Sequence, residues 1–231
     1  MPIGKEMINF TAVEGKHLYE NDGKIYPSVT TVLDVISYSK PIVKWANHLG
    51  FNHIDYETEL QRTATEGTYM HAMAQCIVDP EHGQVPTISD SIVDYYVRKR
   101  IEGLRFKLHD AEGHWDTICT ETPILSHHYK IGGTMDWLAH WYDKLTLFDF
   151  KSSSSLRLKH VIQLGGYNLM LEDNGICLDQ AGIILCRRDR CIIKIIPKDI
   201  LLQASQIFLV VYDYYNQHKN LEEAISTLPA F

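Results

Sequence analysis

The sequence predicts an α/β protein: a mixed central β-sheet flanked by helices, with an N-terminal helical part. Three observations predict it. Between residues 117 and 150 apolar residues recur with period two, the spacing of strands. The segments on either side space them at helical intervals. With 231 residues, 45% of them apolar, the chain is long enough to bury a sizeable core.

Taken in order, His17-Leu18-Tyr19 and Lys24-Ile25-Tyr26 read as a hairpin across Asn21-Asp22-Gly23, a sequence that accepts positive φ. Pro27-Ser28 ends it, and Ser28 is a fitting N-cap for a helix over 29–36. Ser39 followed by Pro41 opens a second helix that ends near Leu49-Gly50, where glycine suits the C-cap. A longer helix over 57–78 carries Gly67 and His71, and the stretch 80–86 is a loop between two prolines. Ser89 starts a further helix with the stripe Ile92, Tyr96, Leu104 and Leu108. Residues 117–125, 130–141 and 144–150 are three successive strands joined by short turns. Four serines, Ser152 to Ser155, form a loop before helical spacing returns over 156–172. Strands over 181–187 and 191–196 make a second hairpin across Arg188-Asp189-Arg190, and Pro197 precedes a last helix over 199–218. This order of elements gives a mixed sheet packed by helices. No repeat, low-complexity tract or linker divides the chain, so one domain is expected: 1–66 the hairpin and first helices, 67–196 the core, 197–231 the C-terminal helix.

Composition narrows the setting. No run approaches the ~20 apolar residues of a membrane span, so no membrane partner is expected. Residues 1–10 lack a basic segment followed by an apolar one, which argues against secretion and for the cytoplasm. Five cysteines at uneven spacing disfavour a disulfide framework. They lack the close pairing of an iron–sulfur or zinc site, and the histidines do not supply zinc spacings either. The formal charge of −7 argues weakly against nucleic acid, although bound divalent cations reverse the sign of an acidic site. Basic residues bunch at Arg98-Lys99-Arg100, at Arg157 with Lys159, and at Arg187-Arg188 with Arg190; each bunch alone reads as a solvated face.

Chemistry concentrates around Asp149-Phe150-Lys151. On a strand, Asp149 and Lys151 share one face while Phe150 points into the packed side. A carboxylate beside an ammonium at a strand end suits a divalent metal, a phosphate and an attacking water, hence metal-assisted hydrolysis of a phosphodiester. Asp136, behind Gly132-Gly133 on the preceding antiparallel strand, converges on the same ion, and the Phe150 carbonyl offers a third oxygen. Mg²⁺ takes such hard oxygen ligands, with Mn²⁺ able to substitute. Lys151 then orients or deprotonates the water, or offsets charge in the transition state. Gln163 and Tyr167, four apart on a helix, share a face able to hydrogen-bond a phosphate oxygen or a strand backbone. Two helix-interior glycines between them, Gly165 and Gly166, imply close approach of a ligand or of the sheet. His71 is a metal ligand if its helix crosses the sheet, and Glu121 is a further carboxylate beyond the first ligands. Ser152, Ser153 and Lys159, just after the metal strand, are expected to touch the nucleic-acid backbone. Each residue alone has a plainer reading as a turn, surface or packing group; their joint spacing makes the chemistry specific.

In this order, His71, glycine-preceded Asp136, Asp149 with Lys151, and Gln163 with Tyr167 resemble the RecB-type branch of the PD-(D/E)XK nuclease superfamily, over about 67–167. Tyr26-Pro27-Ser28-Val29-Thr30 and Lys44-Trp45-Ala46 are similar to stand-alone phage and mitochondrial members. The resemblance implies a restriction-endonuclease-like fold and a Mg²⁺- or Mn²⁺-dependent DNA nuclease. The histidine and two acids would bind metal, the lysine assist the water, and the glutamine and tyrosine support substrate binding. Small stand-alone members are commonly exonucleases, several of them phage-encoded, acting in a host cytoplasm and partnered with a single-strand annealing protein. Two departures stand out: Gln75 replaces a glutamate that relatives often place one turn after the histidine, and the clustered cysteines of iron–sulfur relatives are missing. The rivals are a structure-selective endonuclease of the same superfamily and a catalytically silent DNA-binding recombination module.

Overall fold

Turn chemistry sets where the chain folds back. The computed structural model describes residues 9–13, 16–36 and 40–228. Strands β1 (Asn9–Val13), β2 (Lys16–Asn21) and β3 (Lys24–Pro27) form a small antiparallel sheet in that order. Asp22 and Gly23, both at positive φ, close its second hairpin. β1 was not anticipated from the sequence. Helix α1 (Val29–Asp34) follows, with the Ser28 side chain accepting from the Thr31 N–H.

Helix α2 (Lys40–Phe51) runs through Gly50 rather than ending on it. His53, at φ 55, takes the left-handed position instead, and Ile54 N–H donates back to the Leu49 carbonyl at 2.9 Å. The expected helix start at Ser39 lies outside the described residues. Helix α3 (Tyr56–Val78) is capped by Asp55, and α4 (Ser91–His109) by Asp90, not Ser89. An aspartate carboxylate satisfies the Ile92 and Val93 N–H groups there.

The main sheet has five strands in the order β4 (Trp115–Ser126), β5 (Ile131–Trp141), β6 (Lys144–Lys151), β7 (Gln180–Cys186) and β8 (Cys191–Pro197). All neighbours are antiparallel except β6 and β7, which run parallel because α5 (Leu158–Asp173) carries the chain across between them. Tyr142 and Asp143, both at positive φ, make the tight turn from β5 to β6. The last helix, α6 (Lys198–Ser226), continues well past the expected His218. The protein is thus α/β, with a mixed sheet flanked by helices. Among the described residues no helix is long and apolar enough to cross a membrane.

Each face of the sheet has its own core. Leu147, Met135, Ile183 and Leu185 pack against α1, α5 and α6. Trp137, Phe148, Phe150 and Ile184 pack against α3 and α4, where the Trp137 and Phe148 rings stack with centroids 4.7 Å apart. Gly165 and Gly166 have a structural reason. A Cβ on Gly165 would meet the Ala204 carbonyl carbon at 2.4 Å, and one on Gly166 would meet the Phe208 ring at 2.8 Å. It is α6, not a ligand or the sheet, that approaches this closely. Gly165→Ala sets backbone against backbone and is expected to cost about 1–3 kcal/mol in urea unfolding. Stability unchanged from the parent chain would contradict so close a contact between α5 and α6.

Candidate metal centre

Pairing between β5 and β6 ends at Trp137 opposite Phe148. One step further, the Asp136 carboxylate accepts the Phe150 N–H at 2.7 Å, so a side chain supplies the bond that the strand backbone no longer makes. The strands fork at this point. On its other side Asp136 faces Glu121, between the Thr120–Trp137 and Thr122–Met135 pairs, and Glu121 is left-handed at φ 44. Met135 and Trp137, two apart, pack into opposite cores, whereas a regular strand would send both to one face. This irregularity re-aims Asp136 and Glu121 into a common opening.

The opening is a cleft of about 680 Å³ whose lining includes His71, Glu121, Asp136, Asp149, Lys151 and Gln163. His71 comes from α3, its ring edge-on to Phe150 and its Nδ1 3.5 Å from Asp136 Oδ2. Ligand atoms of His71, Glu121 and Asp136 all lie within 4.8 Å of one another. Beside them Lys151 Nζ donates to Asp149 Oδ1 at 2.9 Å, and Gln163 Nε2 donates to the same oxygen at 3.0 Å. Asp149 Oδ2 lies 2.8 Å from the ammonium but accepts no hydrogen bond, although it is buried.

Charge is crowded here. The Glu121 carboxyl is pushed up to about 7, first by burial among cleft atoms and then by the negative charge of Asp136; its outer side stays open to solvent. Burial also raises Asp149, helped by Asp136 and opposed by Lys151. For Lys151 burial works downward, but Asp149 and Asp136 outweigh it and keep the ammonium protonated. His160 is pulled down to about 4 by burial and by the nearby Lys151 charge, so its imidazole is neutral at pH 7. Burial holds the Tyr167 phenol well above its usual range, consistent with its O–H donating to the Thr134 carbonyl at 2.7 Å.

This arrangement fits a divalent cation. An imidazole and two carboxylates converge within coordination reach, beside a buried carboxylate whose two oxygens share the Lys151 ammonium. Because N–H and C=O of one strand residue point to the same side, the Phe150 carbonyl also faces the fork. Such a donor set admits Mg²⁺, Mn²⁺ or Zn²⁺.

Of the residues expected from sequence, His71, Asp136, Asp149, Lys151, Gln163 and Tyr167 line this one cleft. Glu121 lies nearer than expected, in the direct cluster with His71 and Asp136. Three expected nucleic-acid contacts are placed otherwise. Lys159 pairs with Asp34 at 2.8 Å, Ser153 Oγ donates to the Ser155 carbonyl, and the Ser152 carbonyl accepts from Arg100. None of the three lines the cleft. The space beside Gly132 and Gly133 is likewise taken by protein: added Cβ atoms would meet the Tyr19 and Tyr167 rings at 2.6 and 2.4 Å. Gln163 lines the cleft and donates its amide to Asp149.

Sequence reasoning missed the support of the site. Buried Glu66 on α3 binds Arg100 Nε at 2.6 Å and Arg188 Nη2 at 2.7 Å. Arg100 also reaches the carbonyls of Ser152 and Cys186, tying α3 and α4 to the ends of β6 and β7. Two of the basic bunches are therefore partly spent inside the fold. Tyr19, bonded to Thr134 Oγ1 at 2.9 Å, walls the cleft from the N-terminal sheet. A buried acid on a helix and a tyrosine in a remote hairpin carry no local signal of these roles.

Comparison with known proteins adds little. No family model and no curated protein matches the chain. A solved structure described as "Crystal structure of SSO0001" is similar at 16% identity with a TM-score of 0.30, covering 50% of this chain and 60% of that one. That likeness is too slight to assign fold or function.

Glu121 gives a pH test. Between pH 4.5 and about 7 the folded chain keeps a proton that the unfolded chain has released. The contribution of this group to stability is therefore full below 4.5 and is lost as pH rises through about 7. Carboxyl NMR of the metal-free protein should find Glu121 titrating near 7, and lower in Asp136→Asn. A midpoint near 4.5 in the parent chain would refute the crowding of acids around Glu121.

Proposed function

We infer that the chain is a divalent-metal-dependent deoxyribonuclease with a restriction-endonuclease-like core, acting as an exonuclease. The observation that carries the reading is the convergence of His71, Glu121, Asp136, Asp149 and Lys151 on one cleft from α3, β4, β5 and β6. The order of these residues along the chain, which resembles the RecB-type nucleases, supports DNA as the substrate and attack at a strand end as the mode.

His71, Glu121 and Asp136, joined by Asp149 and the Phe150 carbonyl, would hold Mg²⁺, or Mn²⁺ in its place. The cation supplies a Lewis acid for the phosphate oxygens and makes water a better nucleophile at neutral pH. The remaining work falls to the chain. Lys151, kept protonated by Asp149 and Asp136, offers a donor and a positive charge where negative charge builds on phosphorus. Gln163 and Lys151 together fix the orientation of the Asp149 carboxylate. Tyr167 donates to the Thr134 carbonyl and holds β5 at the wall, keeping the spacing of the acids. Without metal Glu121 holds its proton up to about 7, and it would give that proton up on ligating the cation.

Digestion of end-labelled linear duplex and of closed circles, with Mg²⁺, Mn²⁺, Zn²⁺ or EDTA, tests the reading. Linear DNA should be shortened from an end with Mg²⁺ or Mn²⁺, circles should survive, and EDTA should stop the reaction. Lys151→Ala should lower the rate by ~10²–10⁴-fold with the fold intact by circular dichroism. Cut circles would turn the assignment to an endonuclease. DNA left whole under every metal would overturn nuclease activity and favour a silent binding module.

A further inference from the structure

Cys186 ends β7 and Cys191 begins β8, and the two stand directly opposite each other. They form the last pair before the hairpin loop, where Arg187 N–H donates to the Arg190 carbonyl at 3.0 Å. Hydrogen-bonded and non-hydrogen-bonded pairs alternate along an antiparallel ladder, so the cysteine pair is of the close kind, with Cα atoms ~4.5 Å apart and side chains on one face. A disulfide needs Cα atoms ~4.4–6.8 Å apart, and this pair meets that without backbone movement. Both thiols are free. Cys186 is buried in the core under α4, while Cys191 is only half-buried.

We propose that Cys186 and Cys191 are a dithiol modification site, oxidised by hydroperoxides to an intramolecular disulfide and reopened by small dithiols. The two sulfurs are chemically unequal. The neighbouring thiol and the Lys107 ammonium on α4 lower the Cys191 thiol, whereas the neighbouring thiol and burial raise Cys186. Cys191, the less buried of the two, is the first to react. Its thiolate attacks one peroxide oxygen, the O–O bond breaks, and the departing oxygen takes up a proton. Cys186 then attacks the Cys191 sulfur; the S–O bond breaks, and water leaves with the proton of the thiol. Two thiols give up two electrons and the peroxide is reduced, to water in the case of hydrogen peroxide. Reopening is thiol–disulfide exchange. The bond would close the base of the hairpin whose tip carries Arg188 to Glu66 and whose Cys186 carbonyl holds Arg100. This inference does not depend on the nuclease reading.

The test uses the full chain carrying Cys177→Ser, which removes the exposed thiol. The protein is treated with hydrogen peroxide, alkylated, digested and read by mass spectrometry, with and without dithiothreitol. A cross-linked Cys186–Cys191 peptide, lighter by two hydrogens, should become the main form of both peptides and vanish with dithiothreitol. Cys76 and Cys119 should remain open to alkylation. Cys186 and Cys191 recovered reduced, a sulfinic acid at Cys191 without the cross-link, or a bond to Cys76 or Cys119 would each overturn the proposal.

Discussion

Where β5 leaves β6, the Asp136 carboxylate takes the Phe150 N–H that a partner strand would otherwise take. An unpaired backbone donor at such a depth costs about 1–3 kcal/mol, so the acid at the fork stabilises the opening that it lines. The same oxygen lies 3.5 Å from His71 on α3. One side chain thus links the strand that carries Asp149 and Lys151 to the helix that carries the imidazole. Opposite it, the left-handed turn of backbone at Glu121 brings in a third element. Without the fork, regular pairing would keep strand groups locked in the ladder and no cleft would form between them.

Holding three acids together is electrostatically unfavourable, and the structure shows what offsets it. Lys151 neutralises Asp149, Gln163 donates to it, and Glu121, through burial and then the charge of Asp136, holds its proton up to about 7. Both oxygens of Asp149 lie within 2.9 Å of the one ammonium. A cation held by His71, Glu121 and Asp136 would remove much of the remaining repulsion. The Glu66–Arg100–Arg188 network lies behind this arrangement and fastens α3, α4 and the strand ends, so the acids are set on braced elements rather than on loops.

Much of the architecture is legible in the sequence because its signals are local. Period-two spacing locates β4, β5 and β6, and the glutamine and tyrosine four apart locate the face of α5 turned to the cleft. What could not be read is set by long-range packing. Asp90 outcompeted Ser89 as a cap, and α2 absorbed Gly50 because His53 could take the left-handed position. Gly165 and Gly166 were legible as close approaches but not as approaches to α6, since nothing in either segment names its partner. Among site residues, Glu121 was underrated because its place depends on a backbone irregularity that strand alternation cannot foresee. Lys159 and Ser153 lie outside the cleft because the turn into α5 carries them away from Lys151.

A single cation shared by His71, Glu121 and Asp136 can be sought without reference to any substrate. Titration with Mn²⁺, following the free ion by electron paramagnetic resonance, does so. The parent chain should bind an ion whose affinity falls at least ~10–100-fold in Asp136→Asn and in Glu121→Gln, both still folded by circular dichroism. Mn²⁺ binding as tight in Asp136→Asn as in the parent chain, or no binding by the parent chain at all, would rule the shared site out.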